Sequence, residues 1–400
     1  MSTGSYSFSK RTAWDLSAGD HATAVAEARS KRGDLLDLTI SNPTVCGFEY
    51  VADAVLGPMA DPAVMEHALI YDPDPRGMRS AREAVARYYA DHGAGVDGTG
   101  VDPDSVILTT STSEAYSYLF RLLCDVGDEV LVAQPSYPLF DFLADLDDVK
   151  LKTYPLFYDF GWWIDFAELE RRITAKTRAI LVVHPNNPTG HWTHRAERDR
   201  LEALCEEHRL ALIVDEVFLD YPLGKTPAQS FAIGPHPVLT FVLSGISKIA
   251  ALPQMKVAWV ASFGPDKLAR EATARLEVIS DTFLSMNAPT QLALPRWLAG
   301  RKTLQHQISE RTRSNLRALQ GSELEVLHLE AGWSAVAVFR GRGLASGTTA
   351  AQVLLQDAGV IVHPGSFYGF SDSRIVVISL LTAANDMEAA VRGLSNIIGA

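Results

Sequence analysis

The chain holds 400 residues, 47% apolar and 21% charged, which is ordinary for folded globular proteins and unlike disordered, collagen-like or coiled-coil sequences. With 36 basic against 48 acidic residues the formal charge is −12, so the basic excess that phosphate-backbone binding demands is missing and nucleic acid is not expected as a partner. Three dispersed cysteines (Cys46, Cys124, Cys205) without a C-x-x-C pair argue against a disulfide framework or structural zinc and predict a reducing, cytoplasmic setting, while no signal segment or long apolar run predicts secretion or a membrane.

From residue 79 onward the chain alternates helical and strand-like periodicity, the order of an α/β protein. A helix is predicted over Ser80 to His92, with Ala81, Val85 and Tyr88 on one face. Seven apolar strands follow: Val106 to Leu108, Glu129 to Ala133, Val149 to Thr153, Ala179 to Val183, Leu210 to Val214, Leu239 to Leu243 and Lys256 to Ala261. Most are apolar throughout, as strands covered on both faces should be, so a mainly parallel seven-stranded sheet with helices on both faces is expected. Helices are predicted between them over Ser113 to Cys124, Phe166 to Ile173 and Arg195 to His208. After Gly264 the pattern is helical through Arg317, then mixed, with strands at Ala335 to Phe339 and Ile375 to Ser379. The expected division is an N-terminal segment (1–47) joining a smaller α+β domain (291–400), with a large domain (48–290) between them.

Residues 93–98 (GAGVDG) match G-x-G-x-x-G, but they follow a helix and precede a strand, the reverse of the dinucleotide-binding context, and read as a surface loop. His184, His191 and His194 lack an acidic ligand at a familiar spacing, so no metal is expected.

Four strand ends carry the chemistry. In an open parallel sheet, ligands bind beyond the carboxyl ends of the strands, so residues placed there share one crevice whatever their separation in sequence. At ILTTSTSEAYSYLF a strand meets a helix through Ser111, Thr112 and Ser113, whose hydroxyls and free N–H groups suit a phosphate or, more plainly, a helix cap. At VVHPNNPTG a strand ends in a turn bearing Asn187, and at ALIVDEVF another ends on Asp215, a carboxylate that must find a cation or donors. In LSGISKIAALPQMK, Lys248 leaves a strand among small and apolar residues, where a partly desolvated amine is prepared to attack a carbonyl. A phosphate cradle, an acid for a ring nitrogen, a donor for a ring oxygen and an amine for an aldehyde are together the attachments that pyridoxal 5'-phosphate requires.

With NNPTG, DEVF and SKIAALPQMK in this order, the chain resembles fold-type I pyridoxal-phosphate enzymes of the class I/II aminotransferase family, from about Leu35 to the C-terminus. The resemblance implies that Lys248 forms the internal aldimine and moves the substrate proton, that Asp215 pairs with the ring nitrogen and that Asn187 donates to the ring oxygen. It further implies that Tyr137 stacks on the ring, that Ser111, Thr112, Ser247 and Lys256 hold the phosphate, and that Tyr71 reaches the phosphate of a neighbouring subunit in a homodimer with shared active sites. Trp14, Ser41, Asn187, Tyr368 and the loop 363–370 would line the substrate side, with amino acids and 2-oxo acids as substrates.

Three departures stand out. Phe218 replaces a tyrosine that would bond the ring oxygen. Lys256 replaces an arginine, a point charge where a bidentate fork is usual. Arg374 is the available candidate for the substrate carboxylate, although registering ISL on the family pattern puts Val377 at that place, three residues on and on the other strand face. A carbon–sulfur β-lyase of the same fold is the alternative activity. A cofactor-sensing regulator is a further one, against which stand the acidic charge and the roughly 35 residues before the match, too few for a helix-turn-helix domain.

Overall fold

The computed structural model describes residues 6–398, apart from 18, 94–99, 226, 285, 342–343 and 345–346. Most of the glycine-rich stretch 93–98 therefore lies outside the described residues.

All seven expected strands form, and an eighth joins them. In chain order they are β1 (Val106–Thr109), β2 (Glu129–Gln134), β3 (Lys150–Tyr158), β4 (Trp162–Ile164), β5 (Thr177–Val183), β6 (Ala211–Asp215), β7 (Thr240–Gly245) and β8 (Ala258–Phe263), arranged β1-β8-β7-β6-β5-β2-β3-β4. The unforeseen β4 is three residues long and folds back antiparallel on β3, too short for a periodicity to register. Pairings from β3 through β2, β5, β6 and β7 are parallel, whereas β8 runs antiparallel to both β7 and β1. The carboxyl ends of β1, β2, β5, β6 and β7 consequently share one edge with the amino end of β8.

Every residue of β1, β6 and β7 is buried, because helices cover both faces. Alternate residues divide between two cores: Leu212 and Val214 of β6 pack with Val85 and Tyr88 of helix α1 (Arg79–Asp91), while Ile213 packs with Leu119 and Phe120 of α2 (Thr112–Leu123) and with Leu276 of α4 (Asp266–Phe283) on the other face. Helix α3 (Leu139–Leu146) follows β2.

A second, four-stranded antiparallel sheet is built from β9 (Glu325–Val326), β10 (Ser334–Val338), β11 (His363–Pro364) and β12 (Ile375–Ser379), in the order β9-β10-β12-β11. Its core takes Leu319 from α5 (Lys302–Gln320) and Met387, Ala390 and Leu394 from α6 (Ala384–Ile398). Near the N-terminus, Leu36–Asp37 pairs in parallel with Val360–Ile361, so the start of the chain packs with its end. Among the described residues, no helix is long and apolar enough to cross a membrane.

Candidate active site

A cavity of about 350 Å³ lies between the two sheets, at the shared strand edge. It gathers Ser41, Ser111, Thr112, Tyr137, Asn187, Asp215, Ser247, Lys248, Lys256 and Tyr368, residues spread over most of the chain.

Asp215 closes β6 opposite Val183 and Leu243 in the neighbouring strands. Its carboxylate is buried and accepts from the Tyr116 hydroxyl at 2.7 Å and from the Val217 N–H at 3.0 Å. Burial pushes the carboxyl above its usual range, against these two donors and Lys248. Lys248 follows the end of β7 in a single helical turn, Ile246–Ile249, whose Ile246 and Ile249 are fully buried and anchor it. The Tyr221 hydroxyl donates to the Lys248 carbonyl at 2.5 Å, while the amine stands 5.2 Å from the Trp333 ring centre and 5.8 Å from that of Phe218. Burial between these rings lowers the amine's pKa, and nearby Asp215 offsets only part of the effect.

Ser111 caps α2, its Oγ accepting from the Glu114 N–H at 3.2 Å, so both readings of this hydroxyl run coexist: a capped helix whose first turn also faces the cavity. Lys256 stands two residues before Ala258, the cross-strand partner of Thr109, and lines the same cavity as that helix start. Asn187 lies in the turn after β5, with the Ser334 hydroxyl 3.5 Å from its Oδ1.

That turn depends on Gly190. Its φ of +69° favours glycine, and an added Cβ would come within 2.5 Å of the Ala331 carbonyl. The Gly190 carbonyl accepts from the N–H groups of both Glu330 and Ala331, tying the turn to the segment that carries Trp333 and Ser334. Beside this junction, Glu330 lies 3.6 Å from His191 Nδ1 and 3.2 Å from His194 Nε2, an acidic group that sequence spacing could not reveal. The Trp192 indole donates to His194 Nδ1, so a neutral His194 carries its proton on Nε2, facing Glu330, and the cluster is a tie between segments.

Three expected residues lie elsewhere. Arg374 precedes β12 on the surface, its guanidinium bonded to both oxygens of Asp372, while buried Val377 takes the place on the cavity wall. The strand's alternation is the reason, since no bulge shifts the register of β12 against β10. Trp14 sits on the outer side of α3, donating to Asp145 at 2.8 Å and meeting Phe142 edge-on, and does not line the cavity. Tyr71 is 80% exposed beside a separate depression that includes Asn287 and Gln291.

Sequence reasoning passed over Tyr116 and Trp333. Tyr116 follows Thr112 by four positions, so a helical wheel places it on the same face; its bond to Asp215 spans 99 residues and has no local signal. Trp333, buried just before β10, left no motif.

A family profile described as "Aminotransferase class I and II" matches residues 34–392. The glutamate-pyruvate aminotransferase AlaA of Haemophilus influenzae is 28% identical over 273 residues, covering 68% of this chain and 65% of that protein. The alanine aminotransferase of Mycobacterium tuberculosis is 29% identical over 272 residues, covering 68% and 62% respectively. The matches thus span less than two thirds of these relatives. Solved structures agree in fold: an aminotransferase from Escherichia coli superposes with a TM-score of 0.83 at 21% identity over 99% of both chains, and the alanine aminotransferase from Pyrococcus furiosus with 0.84 at 21% over 98% of this chain and 99% of that one. The chain belongs to the aminotransferase class I and II family, whose members depend on pyridoxal phosphate.

Proposed function

We propose that this protein is a pyridoxal-phosphate-dependent aminotransferase that moves an amino group from an amino acid to a 2-oxo acid. The observation that carries this reading is the meeting of a buried carboxylate, Asp215, and a desolvated amine, Lys248, in one cavity with a capped helix start.

The donor set fits the cofactor's parts. Ser111, Thr112 and Ser247, the first N–H groups of α2 and the Lys256 amine would hold the phosphate, Asp215 the ring nitrogen, Asn187 the ring oxygen and Tyr137 the ring face. Phe218 cannot donate, which leaves the ring oxygen to Asn187. When bound, the cofactor supplies an aldehyde for the amino group and a protonated ring that accepts electrons from the substrate α-carbon.

The chain's own residues supply the rest. Asp215, braced by Tyr116 and the Val217 N–H, keeps negative charge at a fixed point where a ring N–H⁺ is stabilised. The Lys248 Nζ, with its ammonium form disfavoured by burial, would take up and give back the substrate α-proton on one face. Trp333 and Phe218 limit water around that amine. Tyr71 would complete the phosphate site of a second copy, making a homodimer with shared sites. The cytoplasm is the proposed setting, supported by three free cysteines.

A panel of amino donors with 2-oxoglutarate and pyruvate as acceptors tests the reading. Matched formation of a new 2-oxo acid and a new amino acid is expected. Release of free ammonia without amino transfer would overturn it in favour of a β-lyase.

A further inference from the structure

The cavity wall opposite the helix start carries a second arrangement. Strands β11 and β12 pair antiparallel with His363 directly opposite Val377, so both side chains share one face, and both line the cavity. Among the described residues lining it, three can carry positive charge: Lys248, Lys256 and His363. Lys248 answers Asp215, and Lys256 stands two residues from Ala258, which pairs with Thr109 just before α2. His363 is left for the remaining wall, beside Ser41, Thr39 and Tyr368.

Its ring is held in place. Phe367 stacks on it at 5.2 Å with planes 6° apart, and Tyr368 meets it edge-on at 5.9 Å. Burial lowers its pKa and His21, from the helix Asp20–Lys31, adds to this, whereas Asp37 and the Thr39 backbone oppose it; Asp37 itself is paired with Arg29 at 2.5 Å. The resting imidazole is thus biased toward the neutral form. A carboxylate arriving at hydrogen-bond distance reverses that bias, since an adjacent negative charge favours imidazolium.

Resting on the aminotransferase reading, we propose that His363 is the specificity-determining residue that receives the substrate carboxylate, and that the substrates are amino and 2-oxo acids with a single carboxylate. Binding transfers one proton from solvent to the imidazole while the carboxylate stays ionised. A second carboxylate, on a substrate side chain, would be buried on this wall without a cation, at heavy cost.

Titration calorimetry of the holoenzyme with 4-methylpentanoate, in two buffers of different ionisation enthalpy, tests this. The wild type should take up a proton on binding at pH values above the free imidazole's range, and its affinity should fall as the pH rises there, by at most about tenfold per unit, the slope of a single linked proton. His363→Phe should lose about 10- to 100-fold in affinity, the worth of one charge-assisted hydrogen bond, together with the proton uptake. If His363→Phe does not fold, His363→Gln decides: it keeps a donor and should bind without pH dependence. Arg374→Ala should match the wild type, and glutarate should bind more weakly than 4-methylpentanoate.

Unchanged affinity and proton uptake in a folded His363 variant would overturn the proposal, as would tighter binding of glutarate. Amino transfer that ignores His363 sinks this inference alone. Binding through His363 with no amino transfer across the donor panel sinks the aminotransferase reading instead.

Discussion

Lys248 and Asp215 depart from solution behaviour in opposite directions, the amine lowered and the carboxyl raised, and burial is the leading cause for both. Lys248→Ala is therefore expected to lower kcat by at least roughly a thousandfold, the range of a lost general acid–base group, and to abolish borohydride-fixed label at position 248 on peptide mapping. Persistent turnover and labelling in that variant would refute the role. Next to Asp215, Glu216 is fully buried and accepts from the Ser230 hydroxyl and the Phe231 N–H, yet desolvation raises it from 4.5 to about 7. A carboxyl raised in the folded state binds its proton more tightly there than when unfolded. Its stabilisation is thus complete below pH 4.5 and is lost as the pH rises through about 7. Glu216→Gln should flatten the dependence of Tm on pH across that window, as thermal denaturation at half-unit steps would show; an unaltered slope would remove Glu216 from the account. Asp215 was legible at a strand end, and so was the lysine, whereas Glu216 stood beside it in DEVF without a role. The Tyr116 and Trp333 neighbours that tune them were not, because their contacts arise only when distant segments close on one another.

At the scale of elements, the apolar runs announced the strands of the large sheet well, since burial on both faces leaves few polar residues to blur them. Where pairing rather than composition decides, the reading was incomplete: the three-residue β4 hairpin carries too little pattern, and Arg374, the available arginine for the family's late-strand place, is excluded by the alternation that already put Val377 there. Gly190 was visible within NNPTG, whereas its reason, a carbonyl of the second sheet's approach segment, was not. Gly190→Ala should cost roughly 2 kcal/mol or more, combining a left-handed backbone with a clash, and should raise KM by displacing Trp333 and Ser334. Thermal melting and steady-state kinetics check both; a variant that melts and binds like the wild type would show that the turn relaxes freely.

For the molecule as a whole, fold class and the large sheet followed from the sequence because alternating helices and buried strands admit few topologies. The assembly is less accessible to such reasoning. Leu69, Ile70 and Tyr71 are exposed at 84%, 55% and 80%, a surface suited to a second copy. If Tyr71 completes a neighbouring site, Lys248→Ala and Tyr71→Phe chains, each impaired alone, should regain about a quarter of wild-type activity when coexpressed, from one intact site in half of the dimers. No recovery in mixed dimers isolated by sedimentation would place Tyr71 outside the active site.

The seam at Gly190 bears on how firmly the cleft is held. Because Glu330 and Ala331 both hang from the Gly190 carbonyl, and the Leu223 and Gly332 N–H groups bond to Glu330 and Tyr221, the Asn187 side of the cleft is laced shut by main chain. The opposite side is pinned as well, the Ser136 N–H donating to the Tyr368 carbonyl and the Gln134 side-chain amide to the Gly369 carbonyl, so the cleft is braced at both ends and its width is set by the folded chain itself.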